Sequence, residues 1–194
     1  MILGSHNTMT YLPVKQWYFK PFFWTARCQS NTLWDQFCKG ARLFDIRVRF
    51  DKNGDITFAH GPIEFVGNVY DVLEDLDSWS RNCIVYVRII LESNSPMKDQ
   101  ELQEEHFKYF CNNIVNTYTN LTFFGGNRKY DWKVVHDFGI QEPTLDDKYS
   151  STTGSKIDDL WPWLYARLNN KSNIQNGSNK DVLFIDFIGS KFNE

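Results

Sequence analysis

The chain of 194 residues is 42% hydrophobic and 23% charged, enough apolar material for one core of ordinary size, and a single domain over residues 1–194 is expected. A formal net charge of -3 excludes the basic footprint that neutralises nucleic-acid phosphates, and no lysine run is present to hold an anionic membrane. No apolar run approaches the ~20 residues of a membrane-spanning helix, and Met1 to Ser5 is too short for a secretory signal, which leaves a soluble chain, secreted or peripherally membrane-associated, and expected as a monomer.

Met1 to Thr8 reads as a strand that delivers its last residues to a loop. Trp17-Tyr18-Phe19-Lys20-Pro21-Phe22-Phe23-Trp24 follows, with six rings in eight residues. Such a cluster reads first as core or pocket wall, and second as a membrane-touching patch, since Trp and Tyr suit the lipid–water interface. Leu33, Trp34, Phe37, Cys38 and Ala41 recur at three and four residues, which predicts a short amphipathic helix capped by Asn31 or Thr32 and ending near Gly40. Arg42 to Phe50 alternates, with Leu43, Asp45, Arg47 and Arg49 on one face and Phe44, Ile46, Val48 and Phe50 on the other. Three charges in five residues are out of place in a buried strand unless they line a site. Asp51 to Asp55 is a turn by composition, and Ile56 to His60 returns as a strand.

A helix is predicted over Val69 to Trp79. The apolar run Cys83 to Glu92 then reads as a strand covered on both faces. Next comes a helix over Asp99 to Tyr118, with Leu102, His106, Tyr109, Phe110, Asn113 and Ile114 in period. A strand at Lys133 to Phe138, a helix at Ile157 to Leu168, an Asn/Ser-rich loop and a last strand at Val182 to Ile188 complete the map. Strands alternating with helices predict a mostly parallel sheet, as a barrel or an open doubly wound sheet. Cys28, Cys38, Cys83 and Cys111 lack the paired spacing of a zinc site and read as scattered thiols or two bridges.

His6 and His60 each fall at the exit of a predicted strand, and Arg47 lies on the polar face of the strand between them. In parallel α/β folds catalytic groups collect at the carboxyl ends of strands. Two imidazoles of unperturbed pKa ~6.5 can exchange protons near neutral pH, and a guanidinium offers planar, permanent donors to a phosphate.

Leu3-Gly4-Ser5-His6-Asn7-Thr8-Met9-Thr10-Tyr11, Phe44-Asp45-Ile46-Arg47-Val48-Arg49 and His60-Gly61-Pro62, the last fifteen residues after Asp45, resemble three ordered blocks of the phosphatidylinositol-specific phospholipase C superfamily, closest to its bacterial metal-independent type. The resemblance covers the first third of the chain. It implies a distorted or incomplete (β/α)8 TIM-type barrel, with His6 as general base, His60 as general acid, Arg47 on the phosphate and Asp45 in support. The implied reaction is attack of the inositol 2-hydroxyl on phosphorus, releasing diacylglycerol and a cyclic inositol phosphate at a membrane surface, with no cofactor and no metal.

It also implies that Asp186, in Phe184-Ile185-Asp186-Phe187, orients the base histidine, and that Asn7, Arg88, Glu92, Asp147 and Tyr149 contact the substrate. Calcium-dependent relatives place two carboxylates one residue apart on the strand of Asp45, where this chain has Arg47, a cation that repels a metal. Asn7 departs from the bacterial pattern, which has Asp after the histidine. Bacterial members are longer, so the resemblance also implies a shortened barrel or a piece of one. His136-Asp137 reads as a structural pair, and His106 as solvated or half-buried. The alternatives are a metal-dependent phosphodiesterase for another head group, with Asn7, Asp45 and Glu92 as ligands, and a catalytically weak inositol-lipid-binding module.

Overall fold

The computed structural model describes residues 2–51, 53–92, 100–126, 145–147, 182–186 and 188. The expected strand at Lys133 to Phe138, the helix at Ile157 to Leu168, the Asn/Ser-rich loop and Tyr149 lie outside the described residues. Eight strands are described: β1 (Ile2–Ser5), β2 (Leu43–Phe50), β3 (Ile56–His60), β4 (Ile63–Phe65), β5 (Val85–Leu91), β6 (Leu121–Gly126), β7 (Leu145–Asp147) and β8 (Val182–Ile185). The described α-helices are α1 (Leu33–Cys38), α2 (Val69–Trp79) and α3 (Gln100–Thr117). The chain forms two compact units, one of residues 1–11, 27–44 and 143–194, the other of residues 12–26 and 45–142.

In the first unit β1 runs parallel both to the start of β2, with Gly4 opposite Leu43, and to β8, with Gly4 also opposite Phe184. The far edge of β8 carries β7, again parallel. Thr32 caps α1 in a reciprocal box with Asp35, so two backbone donors that the first turn leaves open are satisfied by side chains. The core of this unit gathers Leu33, Ala41, Leu43, Phe44 and all four residues of β8.

In the second unit the rest of β2 pairs with β3, and β3 with β4, both antiparallel. β5 pairs with β2 and, in parallel, with β6. The sheet is therefore mixed, which corrects the expectation of a mostly parallel one. Parallel neighbours need a crossover of a dozen or more residues, and neither the Asp51–Asp55 turn nor the Gly61-Pro62 turn is long enough to supply it. The Asp51 carboxylate accepts from the Asn53 and Asp55 N–H groups, closing the first turn. Helix α2 matches its predicted bounds, with Asn68 as its cap.

Helix α3 turns a different face inward from the one read in the sequence. Tyr109 and Leu102 are exposed, while Gln103, Phe107, Phe110, Cys111 and Ile114 are buried. Both frames share Phe110 and Ile114. Phe107 and Cys111 decide between them by making a continuous apolar stripe. The aromatic segment departs further from its first reading. It forms a 3-10 stretch, Trp17–Ala26, in which Trp17 is 78% exposed and Tyr18, Phe22 and Trp24 are also exposed. With about three residues per turn, rings at six of eight positions point in every direction, and no single core can take them all.

One close approach depends on the absence of a side chain. Gly125 on β6 has φ 138°, and a Cβ there would overlap the Ile89 carbonyl of β5. Gly40 also has positive φ, 98°, but a Cβ there meets nothing. Gly125→Ala is thus expected to lower stability by about 3 kcal/mol or more, and Gly40→Ala by about 1 kcal/mol, as read from urea denaturation. Equal losses would contradict the overlap.

Candidate active site

The loop after β1 is built from side chains bonding to backbone. Asn7 takes the left-handed conformation, φ 47°, which asparagine tolerates better than most residues. Its own side chain is buried, and its carbonyl accepts from both the backbone and the hydroxyl of Thr10. The Thr10 hydroxyl oxygen in turn accepts from the N–H groups of Cys28 and Gln29, each at 2.9 Å. Gln36 accepts from the Ser5 hydroxyl and donates to the carbonyls of Thr8 and Asn31. These bonds leave His6 at the end of β1 with little freedom of backbone.

His6 Nδ1 lies 2.7 Å from Asp186 Oδ1, just past the end of β8. The carboxylate can only accept, so Nδ1 carries the proton and Nε2 is the nitrogen that gains or loses one. Gln29 keeps the two partners in register. It is fully buried, its amide donates to the carbonyls of His6 and Ile185, and its oxygen accepts from the Ile188 N–H. Asp186, 8% exposed at the end of an apolar strand, has the partner that its burial demands.

The second unit carries the charged face of β2. Asp45 and Arg47 are buried, and the Arg47 guanidinium meets Asp45 Oδ2 at 3.0 Å and Glu92 Oε1 at 3.3 Å. Arg88 Nε stands 3.9 Å from Asp45 Oδ1. Four predicted site residues, Asp45, Arg47, Arg88 and Glu92, are thus one cluster, two acids against two bases. Glu92 is placed by its own N–H, which donates to the Val48 carbonyl of β2.

His60 ends β3, and its Nδ1 is 2.8 Å from the Ala26 carbonyl. A carbonyl accepts in every state, so here too Nδ1 is the nitrogen that carries a proton. A hairpin delivers this residue. The argument from carboxyl ends of parallel strands does not apply to it, because β3 is antiparallel to its neighbours. Behind it, buried Arg49 donates to the Gly61 and Pro62 carbonyls and pairs with Glu64 at 3.4 Å. Burial draws the Arg49 guanidinium below its ordinary pKa, and Glu64 draws it back up.

Of the remaining predicted residues, Asp147 ends β7, where its backbone pairs with Phe184, and Tyr149 lies outside the described residues, as do His136 and Asp137. His106 is half-buried and stacks on Phe50 at 5.8 Å. Gln29, Gln36 and Arg49 were missed as organisers. A buried glutamine leaves no periodic mark in a sequence, whereas Arg49 shares the alternating charged face and was legible there.

No family model and no curated protein sequence matches the chain. Solved structures do. The phosphatidylinositol-specific phospholipase C from Listeria monocytogenes is 15% identical, with a TM-score of 0.58, over 99% of this chain and 89% of that one. A mutant of the Staphylococcus aureus enzyme is 14% identical with a TM-score of 0.61, over 98% and 86%. A further S. aureus structure, concerned with membrane binding by that phospholipase, is 15% identical with a TM-score of 0.55 over the same shares. The likeness is one of fold, and at that level it bears out the resemblance carried by the His6, Asp45 and His60 blocks.

Arg47→Met would leave Asp45 and Glu92 without their shared cation. A loss of about 3–5 kcal/mol in urea denaturation is expected. Lys15, whose side chain is 56% exposed in its pair with Glu64, should lose under about 1 kcal/mol on the same change.

Proposed function

We propose that this chain is a phosphodiesterase acting on phosphatidylinositol-type lipids, with residues 1–194 serving as one catalytic domain of incomplete (β/α)8 type. His6 is the general base that takes the proton of the inositol 2-hydroxyl. His60 is the general acid that protonates the departing diacylglycerol oxygen, and Arg47, supported by Asp45, stabilises the phosphoryl oxygens. The products are diacylglycerol and inositol 1,2-cyclic phosphate.

The observation that carries this reading is the 2.7 Å pair of His6 and Asp186, in a chain whose fold is shared with bacterial phospholipases C of this specificity. A carboxylate on Nδ1 makes Nε2 the basic nitrogen of the ring and stabilises the imidazolium formed when the proton arrives. His60 has a neutral carbonyl in the equivalent place, which fixes its ring without stabilising the cation so strongly. That asymmetry suits one ring to accept a proton and the other to release one. Arg47 supplies the charge that a metal would otherwise provide, and its two carboxylate partners are already engaged with it.

The exposed rings of Trp17, Tyr18, Phe22 and Trp24 suit a lipid surface, since amphipathic aromatics settle at the depth of the head groups. No helix among the described residues is long and apolar enough to cross a membrane. Arg88, Glu92, Asn7, Asp147 and Tyr149 are the proposed contacts to the inositol ring.

The test is incubation with labelled phosphatidylinositol in detergent and excess chelator. Cyclic inositol phosphate is expected, with loss of ~10²–10⁴ in rate for His6→Ala and for His60→Ala. Activity that needs added calcium would favour the metal-dependent alternative, and liposome retention without any product would favour the binding module. On vesicles, Trp17→Ala combined with Trp24→Ala should lower binding while leaving turnover of detergent-dispersed lipid unchanged. Equal losses in both assays would argue against a lipid-facing role for this segment.

A further inference from the structure

We propose that His6, Cys28 and Asp186 form a binding site for a soft divalent cation of the zinc type, and that its occupancy silences His6. One ligand atom from each of the three side chains lies within 4.8 Å of the others. Among the described residues no other group of three His, Cys, Asp or Glu side chains is set so closely. All three belong to the first unit, and each backbone is tied down. The Cys28 N–H is bound to Thr10, the His6 N–H to the Ile185 carbonyl, and Gln29, next to Cys28, holds the ends of β1 and β8. Cys28 is 8% exposed, and the His6 and Asp186 side chains are 15% and 11% exposed, so the group is sheltered but reachable.

The donor set selects the ion. Calcium and magnesium prefer all-oxygen shells, whereas one sulfur, one imidazole nitrogen and one carboxylate oxygen match zinc and its softer analogues. Thiolate and carboxylate together carry two negative charges, which balance the dication. The thiol proton leaves to solvent as the sulfur–metal bond forms, and the His6 ring changes tautomer, Nδ1 giving up its proton to become the ligand while Nε2 takes one. Three protein ligands leave the fourth tetrahedral position for water. Two ligand atoms on one zinc stand about 3.3 Å apart, so the 2.7 Å contact between His6 and Asp186 opens by a few tenths of an ångström on binding.

Among the described residues no other thiol belongs to such a group. Cys111 is buried, and burial pushes its thiol up, away from the thiolate form, while Cys38 is exposed and Cys83 half-buried, outside any such group. With the metal on Nδ1 and the ring's one proton on Nε2, His6 has no lone pair left to accept a proton. This inhibitory consequence rests on the reading of His6 as general base, whereas the binding itself does not.

The metal-free full chain is titrated with cobalt(II) while the near-ultraviolet thiolate-to-cobalt charge-transfer band is followed. A band that saturates and is displaced by zinc is expected for the wild type and for Cys38→Ser, and no band for Cys28→Ser. Absence of the band in the wild type, or its persistence in Cys28→Ser, overturns the site. Should Cys28→Ser fail to fold, His6→Gln replaces it, with cobalt affinity expected to fall at least ~10-fold; unchanged affinity overturns the site equally. In the lipid assay zinc should inhibit the wild type reversibly and Cys28→Ser at least ~10-fold less sensitively. A Cys28-dependent band in a protein that never cleaves lipid sinks the proposed reaction and leaves the site standing. Cleavage by a protein that gives no band sinks the site alone.

Discussion

A strand buried along its whole length carries three charges, and the second unit is arranged to neutralise them. All eight residues of β2 are inaccessible or nearly so, Asp45, Arg47 and Arg49 among them. An ion without a partner in such a place is worth several kcal/mol of instability, far more than one apolar contact can offset. Arg88 from β5 and Glu92, just past its end, meet the first two, and Glu64 with the Gly61-Pro62 turn meets the third. These demands determine which residues β5 and the β3–β4 hairpin bring to β2. They also make the cluster rigid, since each charge is held by more than one contact.

The histidines are organised by a complementary rule. Each has Nδ1 committed as a donor to an oxygen that cannot give a proton back, His6 to a carboxylate and His60 to a backbone carbonyl. In each ring Nδ1 is therefore the protonated nitrogen. The difference between an anionic and a neutral acceptor is the physical basis on which the two rings can take opposite parts in one reaction.

Much of this was legible in the residues. The alternation of Arg42 to Phe50, the helix expected over Val69 to Trp79 and the apolar run of β5 each matched the structure, since no second frame competed with them. Where two frames competed, as on α3, Phe107 and Cys111 settled what Leu102 and Tyr109 obscured. β4 and β7 are three residues each, too short for a periodic signal, and β6 went unread, a short strand that ends in two glycines. Of the site, His6, Asp45, Arg47, Arg88, Glu92 and Asp186 were named from alternation and family likeness, and the structure groups them as one pair and one cluster. Gln29 and Cys28 were not named as site residues, since their part depends on neighbours distant in the chain.

The partner of His6 lies 180 positions downstream. On a growing chain the imidazole precedes its orienting carboxylate, which arrives only when β8 has been made and has closed against β1. A loop of that span is slow to shut, because its closure entropy must be met before the contacts between β1 and β8 can offset it. Until β1 and β8 pair, the ring has no orienting carboxylate, so the dyad cannot mature before that strand pairing does.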